Sequence, residues 1–234
     1  MKISNTFKAT SKIIVAAITL SVALVSCKKD DDSNPVQVSG LSVIHASPSA
    51  EKFDVFVDTK KANAADFSYT NKIDYLDVSS GNRKVVITKK GLTAPLLSDT
   101  MTLKPQVGYS LFVIDKTETL KYLLLKDDLS KPAAGKARVR FVNVSPDAPA
   151  LNLVIAGSTT DLVTNKAFKG SSEFLSIDAA EKVTFNVKNQ TGGAIVATTG
   201  DVKIEAGKIY TIWVKGLIAA TDDTKLGVAV FTHK

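Results

Sequence analysis

From residue 41 onward the chain is a succession of short apolar segments, several with hydrophobic and polar positions in alternation. Leu41–Ala46, Phe53–Asp58, Val85–Thr88, Tyr109–Ile114, Ala137–Val142, Leu151–Ile155, Val183–Val187 and Tyr210–Val214 are each four to six residues long and rich in β-branched and aromatic side chains. A period of two places alternate side chains on one face, as a strand with one buried side requires. Turn formers separate the segments roughly every ten residues. They include Ser47-Pro48, Gly81-Asn82, Lys90-Gly91, Gly192-Gly193 and Gly207-Lys208. No segment after residue 40 combines helical periodicity with caps, so the pattern predicts an all-β protein.

The pattern also repeats. Residues 43–58 align with 140–157, which sets Ser47-Pro48 against Ser145-Pro146 at a shift of 98. Residues 74–84 align with 173–183 at a shift of 99, and 103–113 with 204–214 at 101. Three blocks in one order at a near-constant shift mark a duplication. The expected organisation is two tandem antiparallel β-sandwich domains, 41–129 and 137–234, joined by a linker at 130–136. Tyr109 and Tyr210 each open a strand six residues after an aliphatic residue, Leu103 or Ile204. That spacing resembles the tyrosine corner of immunoglobulin-like sandwiches, whose hydroxyl caps a turn in its own backbone. An immunoglobulin or transthyretin-like type is expected on this basis. A true immunoglobulin domain is not, because paired cysteines are missing.

The N-terminus is different. Lys2, Lys8 and Lys12 precede an apolar run, Ile13 to Val25, broken only by Thr19 and Ser21. A bilayer span needs about 20 apolar residues, so the run reads as the core of a signal peptide, residues 1–26. It ends in Leu24-Val25-Ser26-Cys27, which resembles the lipobox of bacterial lipoproteins. The resemblance implies cleavage before Cys27 and acylation of its thiol, palmitate being one such chain, so that the membrane is the first partner. Each buried CH₂ contributes about 0.8 kcal/mol, and two or three chains anchor firmly where one does not. An uncleaved apolar helix and an ordinary signal peptide with a free thiol are the competing readings. Residues 27–40, with Asp30–Asp32 and Pro35, read as the lipidated cysteine and a flexible tether. The acidic run resembles a signal for the outer face of the outer membrane, and the lipoprotein resemblance implies that Lys28, where Asp would stand for retention, argues against the inner membrane. The expected location is the outer membrane, lipid-anchored and surface-exposed; a merely solvated tether is the alternative for the acidic run.

Composition changes this picture little. The net charge is +7, but Lys2, Lys8 and Lys12 leave with the signal peptide, so the remainder carries +4. That is no nucleic-acid footprint, and no Lys/Arg stripe interleaves with aromatics. The single cysteine precludes an intramolecular disulfide.

The segments 137–157, 174–187 and 204–214 together resemble domain-of-unknown-function family 4397, found in tandem on secreted and lipid-anchored bacterial proteins. Its core pattern is Arg, two hydrophobics, then His-Ala-Ser-Pro-Asp-Ala-Pro. The second copy keeps Ser145, Pro146, Asp147, Ala148 and Pro149 but has Asn143-Val144 for His-Ala. The first keeps His45, Ala46, Ser47 and Pro48 but has Ser49 and Glu51 for Asp and Pro. The resemblance implies tandem β-sandwiches over about 41–234 and brings no established activity.

Candidate chemistry is sparse. His45 and His233 are the only histidines; His45, before the Ser-Pro turn, reads as a solvent-facing strand end, and His233 is next to last. Asn143 stands where a duplicated His45 site would need its base. Ser47, Pro48, Ser145, Pro146, Asp147 and Pro149 read as rigid turns, and Tyr109 and Tyr210 as corner residues. Metal ligands do not cluster, no cofactor motif appears, and Asp127-Asp128 and Asp222-Asp223 read as solvated charge runs. Phe112 and Trp213 hold matching positions and alternate with the core-facing residues of their strands. If they lie on exposed outer faces they could stack on sugar rings or anchor a partner; otherwise a neighbouring loop or the other domain covers them. The expected function is a non-enzymatic, lipid-anchored cell-surface binding or scaffold protein, its ligand a polysaccharide or a protein. The rivals are an accessory or adhesion subunit of an outer-membrane assembly and a hydrolase whose acid pair no motif marks.

Overall fold

The computed structural model describes residues 37–233. The signal peptide, Cys27, the acidic run and most of the tether fall outside the described residues. Eight strands form the N-terminal half: β1 Val38–His45, β2 Phe53–Val57, β3 Lys60–Lys61, β4 Lys72–Ser79, β5 Gly81–Lys89, β6 Pro95–Leu103, β7 Gly108–Ile114 and β8 Lys121–Asp127. Eight more follow: β9 Lys136–Asn143, β10 Leu151–Ile155, β11 Val163–Lys166, β12 Leu175–Asp178, β13 Ala180–Asn189, β14 Ile195–Ile204, β15 Ile209–Lys215 and β16 Gly227–His233. The last three residues of the expected tether, 38–40, are thus strand rather than linker.

The strands build four four-stranded sheets. Their orders are β4-β1-β7-β8 with β3-β2-β5-β6, and β12-β9-β15-β16 with β11-β10-β13-β14. The second pair repeats the first element by element. Within each pair the facing sheets enclose a core: Leu41, Phe53, Val55, Ile87 and Leu111 in one, Phe141, Leu151, Leu153, Phe185 and Ile212 in the other. Two features differ from expectation. The central pairs β1/β7 and β9/β15 are parallel, so two of the sheets are mixed rather than antiparallel. Parallel neighbours need a long crossover, and here the whole opposite sheet supplies it. Moreover β1 and β2 lie in different sheets, unlike the immunoglobulin order in which the first two strands are neighbours.

β7 and β15 read as nearly continuous apolar runs because both their faces are covered. Tyr109, Leu111 and Val113 point into their own sandwich. Phe112 and Ile114 belong instead to a third core, with Ile44, Ala46, Val142, Val144 and Trp213. This core joins the outer face of one mixed sheet to that of the other. Equivalent residues of the two copies meet across it: Phe112 and Trp213 lie 5.9 Å apart, edge to face. Arg140 Nη2 lies near both Ser110 Oγ and its counterpart Thr211 Oγ1. Contact between like positions defines an isologous interface. The duplicated halves therefore pack as an intramolecular pseudo-dimer, with both Ser-Pro loops at the same end.

Candidate functional site

Phe112 and Trp213 are 0% and 2% exposed, so neither offers a surface for stacking on a sugar. They do lie on the outer faces of their sandwiches, but each face is covered by the other copy. The expectation of outward-facing binding aromatics is corrected accordingly.

Below this aromatic pair, at the start of β7 and β15, the interface turns polar. Asp127 and Arg140 are both buried and pair at 2.8 Å. Asp127 Oδ2 accepts hydrogen bonds from Tyr75 Oη at 2.5 Å and Ser110 Oγ at 2.8 Å. Tyr75 Oη also lies 2.7 Å from His233 Nδ1, and Thr211 Oγ1 lies 2.8 Å from His233 Nε2. One proton arrangement satisfies all of these: His233 Nδ1–H donates to Tyr75, and Thr211 donates to Nε2. Burial holds the His233 pKa down at about 4, against the pull of the Asp127 charge, so the ring is neutral. Burial also lowers the Arg140 pKa, which Asp127 counteracts. Asp127 is buried, contrary to its reading as part of a solvated charge run, and His233 is buried beside it. This network fastens the two copies together, and Arg140 also lines a crevice with Asp128, Glu173 and Phe174.

The other end carries the Ser-Pro loops. In both copies the residue before the small-Ser-Pro segment reaches the carbonyl six residues ahead. His45 Nε2 donates to Glu51 O at 3.2 Å, and Asn143 Nδ2 donates to Pro149 O at 3.4 Å. The backbones match as well: Thr70 N–H donates to His45 O and Lys169 N–H to Asn143 O, each at 2.8 Å. His45 is therefore a buried loop clamp stacked on Phe53, ring centroids 4.3 Å apart, not a solvent-facing strand end. Burial lowers its pKa to about 4. In the C-terminal copy the loop is closed on itself. Ser145 Oγ donates to Gly216 O at 2.7 Å, and Asp147 accepts the Ile218 N–H at 3.1 Å.

The N-terminal copy lacks that closure because Ser49 stands where Asp147 does in its partner. Ser47 Oγ, Ser49 Oγ, Tyr69 Oη and His45 Nδ1 are buried without partners. Ser49 and Tyr69 line a crevice of about 500 Å³ between the sandwiches. Lys215, Asp222, Asp223 and Thr224 form its opposite wall. Lys215 Nζ sits 5.2 Å from the centre of the Tyr69 ring, and burial lowers its pKa. Burial raises that of Tyr69, with Asp222 adding to the effect. Thr224 holds the Asp222 carboxylate through its hydroxyl and N–H, at 2.6 and 2.8 Å, and keeps its pKa low. Among the described residues no group of three or more His, Cys, Asp or Glu could hold a metal ion. No helix among them is long and apolar enough to cross a membrane. The sequence reading singled out neither Tyr69 nor Lys215. The one signal was at Tyr69, whose counterpart in the second copy is Phe168.

Comparison with known proteins places a family model, domain of unknown function DUF4397, on residues 39–154, the whole N-terminal sandwich plus β9 and most of β10. No curated protein matches the chain. Among solved structures, the chain is similar to the family 26 carbohydrate-binding module CBMbc of Eubacterium rectale Amy13K, crystallised with maltoheptaose. The two share 12% identity at a TM-score of 0.28, over 82% of this chain and 96% of that one. It is also similar to a family 41 carbohydrate-binding module, recognising alpha-glucan, from streptococcal virulence factors. That likeness has 15% identity and a TM-score of 0.24, over 81% of this chain and 96% of the other. Likeness at this level carries nothing about what this chain binds.

Proposed function

We propose that this chain is a non-enzymatic binding module, lipid-anchored at Cys27 in the outer membrane and displayed at the cell surface, whose partner is a polysaccharide. On this reading residues 1–26 are the signal peptide, and the residues from Cys27 to the start of β1 are the tether. The two copies are both DUF4397-type domains. The observation that carries the reading is the isologous interface. An apolar core and a buried ion pair fix the copies to each other, so loops from both form one composite polar surface at one end. A rigid scaffold presenting loops is the usual architecture of recognition. Both histidines, the residues best suited to acid-base work near neutral pH, are engaged in structure as neutral rings.

Two measurements test this. Intact-mass analysis of protein extracted from its native membrane is expected to show a chain beginning at acylated Cys27. A Cys27→Ser variant is expected in the soluble fraction. A free thiol at Cys27, or an unprocessed N-terminus, removes the anchor. For the ligand, the full chain in detergent is run in affinity gels cast with neutral and acidic polysaccharides. Retardation by at least one supports the module, and migration unchanged in all of them overturns it.

A further inference from the structure

Resting on that reading, we infer that the ligand site is the crevice between the sandwiches, and that it takes a neutral, polyhydroxylated sugar ring. Its floor is built by Ser49 and Tyr69 of the N-terminal copy, and its far wall by Lys215, Asp222 and Thr224 of the C-terminal one.

The argument starts from a broken symmetry. Tyr69 and Phe168 are counterparts, each preceding a residue with φ of 70°, Thr70 or Lys169. Lys215 is the counterpart of Ile114, in β15 and β7. On one side of the pseudo-twofold, Phe168 packs on the apolar cluster that contains Ile114. On the other side the same two places hold Tyr69 and Lys215, a phenol and an ammonium in contact. Packing alone calls for apolar residues at both places, as the Phe168 side shows. The polar pair costs desolvation, visible in the lowered Lys215 and raised Tyr69 pKa. It also leaves the Tyr69 hydroxyl without a partner. Buried unpaired donors in a native protein call for an explanation, and a ligand that accepts from them is one.

The chemistry of the walls selects the ligand. Ser49 and Tyr69 hold buried, unpartnered hydroxyls at the crevice floor, Lys215 offers donors, and Asp222 and Asp223 offer acceptors. Lys215, with Lys225 near it, balances Asp222 and Asp223, so neither an anion nor a cation is favoured by net charge. An alternation of donors and acceptors beside an aromatic edge suits vicinal hydroxyls. The volume of about 500 Å³ lies within the about 300–1,000 Å³ usual for small-molecule sites. The C-terminal loop has no such site, because Ser145 and Asp147 already bond Gly216 and Ile218.

The test uses the full chain in detergent with xyloglucan, mixed-linkage glucan, galactomannan and amylopectin as neutral probes, and alginate as the acidic one. Tyr69→Phe removes only the free hydroxyl, and Lys215→Met removes only the charge. Each is expected to weaken binding to a neutral polymer about tenfold or more while the unfolding temperature stays at or above that of the parent. Bound polymer is also expected to protect Lys215, but not Lys84, from acetylation read by mass spectrometry, a result that needs no variant. Parent-like binding by both variants, or Lys215 unprotected at saturation, overturns the crevice as the site and leaves the module standing. Binding to alginate alone overturns the neutral ligand. Binding to no polymer overturns both this site and the module.

Discussion

His45 and His233 are each nearly inaccessible to solvent, and each is held neutral with a pKa near 4 rather than 6.5. The unfolded chain takes up both protons near pH 6.5 and the folded one only near pH 4, so between these values the unfolded state binds more protons. Their contribution is therefore complete above about pH 6.5, falls as the pH drops, and is lost by about pH 4. The magnitude is about 3 kcal/mol per histidine. Carboxylates with lowered pKa, such as Asp66 between Lys52 and Lys90, act only below their ordinary value of 3.8. Urea unfolding between pH 7 and 5 should thus report the histidines, with a midpoint that falls steadily with pH. His45→Phe, which keeps the stack on Phe53, should flatten that slope by about half. The Asp127–Arg140 pair makes a second prediction. Asp127→Ala strands a buried guanidinium and should cost about 3–5 kcal/mol, whereas Asp127→Leu with Arg140→Met should recover most of it. A double-mutant cycle by urea unfolding measures the difference. Nothing in the local sequence distinguished Asp127 from the exposed Asp128 beside it. A strand's last residue faces in or out according to what covers it, and here the cover comes from 106 residues away, at His233.

At the scale of single elements, the strand starts at Tyr109 and Tyr210 are the best example of local determination. Tyr109 Oη accepts the Lys104 N–H at 3.1 Å, and Tyr210 Oη accepts the Glu205 N–H at 2.9 Å. The interaction spans five residues, so spacing alone exposes it. Tyr210→Phe leaves that N–H without its partner and should lower stability by about 1 kcal/mol, seen as a lower urea midpoint at unchanged m-value. The far ends of the same strands show another local rule. Asp115 and Gly216 both adopt positive φ, 71° and 84°. A Cβ on Gly216 would lie 2.2 Å from Lys225 O, so the second copy needs glycine where the first accepts aspartate. The parallel β1/β7 and β9/β15 pairs were not legible in this way, since strand direction within a sheet depends on which distant strand arrives beside it.

The whole molecule behaves as a dimer written into one chain. Separated from its partner, the N-terminal sandwich exposes Ile44, Phe112, Ile114, Leu123 and Leu125 on one sheet face. Expressed as residues 37–130, it should self-associate, by pairing like faces or by aggregating, and light scattering after size-exclusion chromatography would show species larger than a monomer. A monodisperse monomer would mean that the interface adds little to the fold. Alternation of apolar and polar residues, turn chemistry and the repeat were enough to determine an all-β chain with a duplicated plan, because each depends on neighbours within a few residues or on similarity between copies. Only the tertiary structure decided which strand faces meet. It buried Phe112 and Trp213, turned Asp127 and His233 inward, and set Tyr69 against Lys215. A strand's period reveals that it has two faces, and what covers the second is a property of the partner sheet.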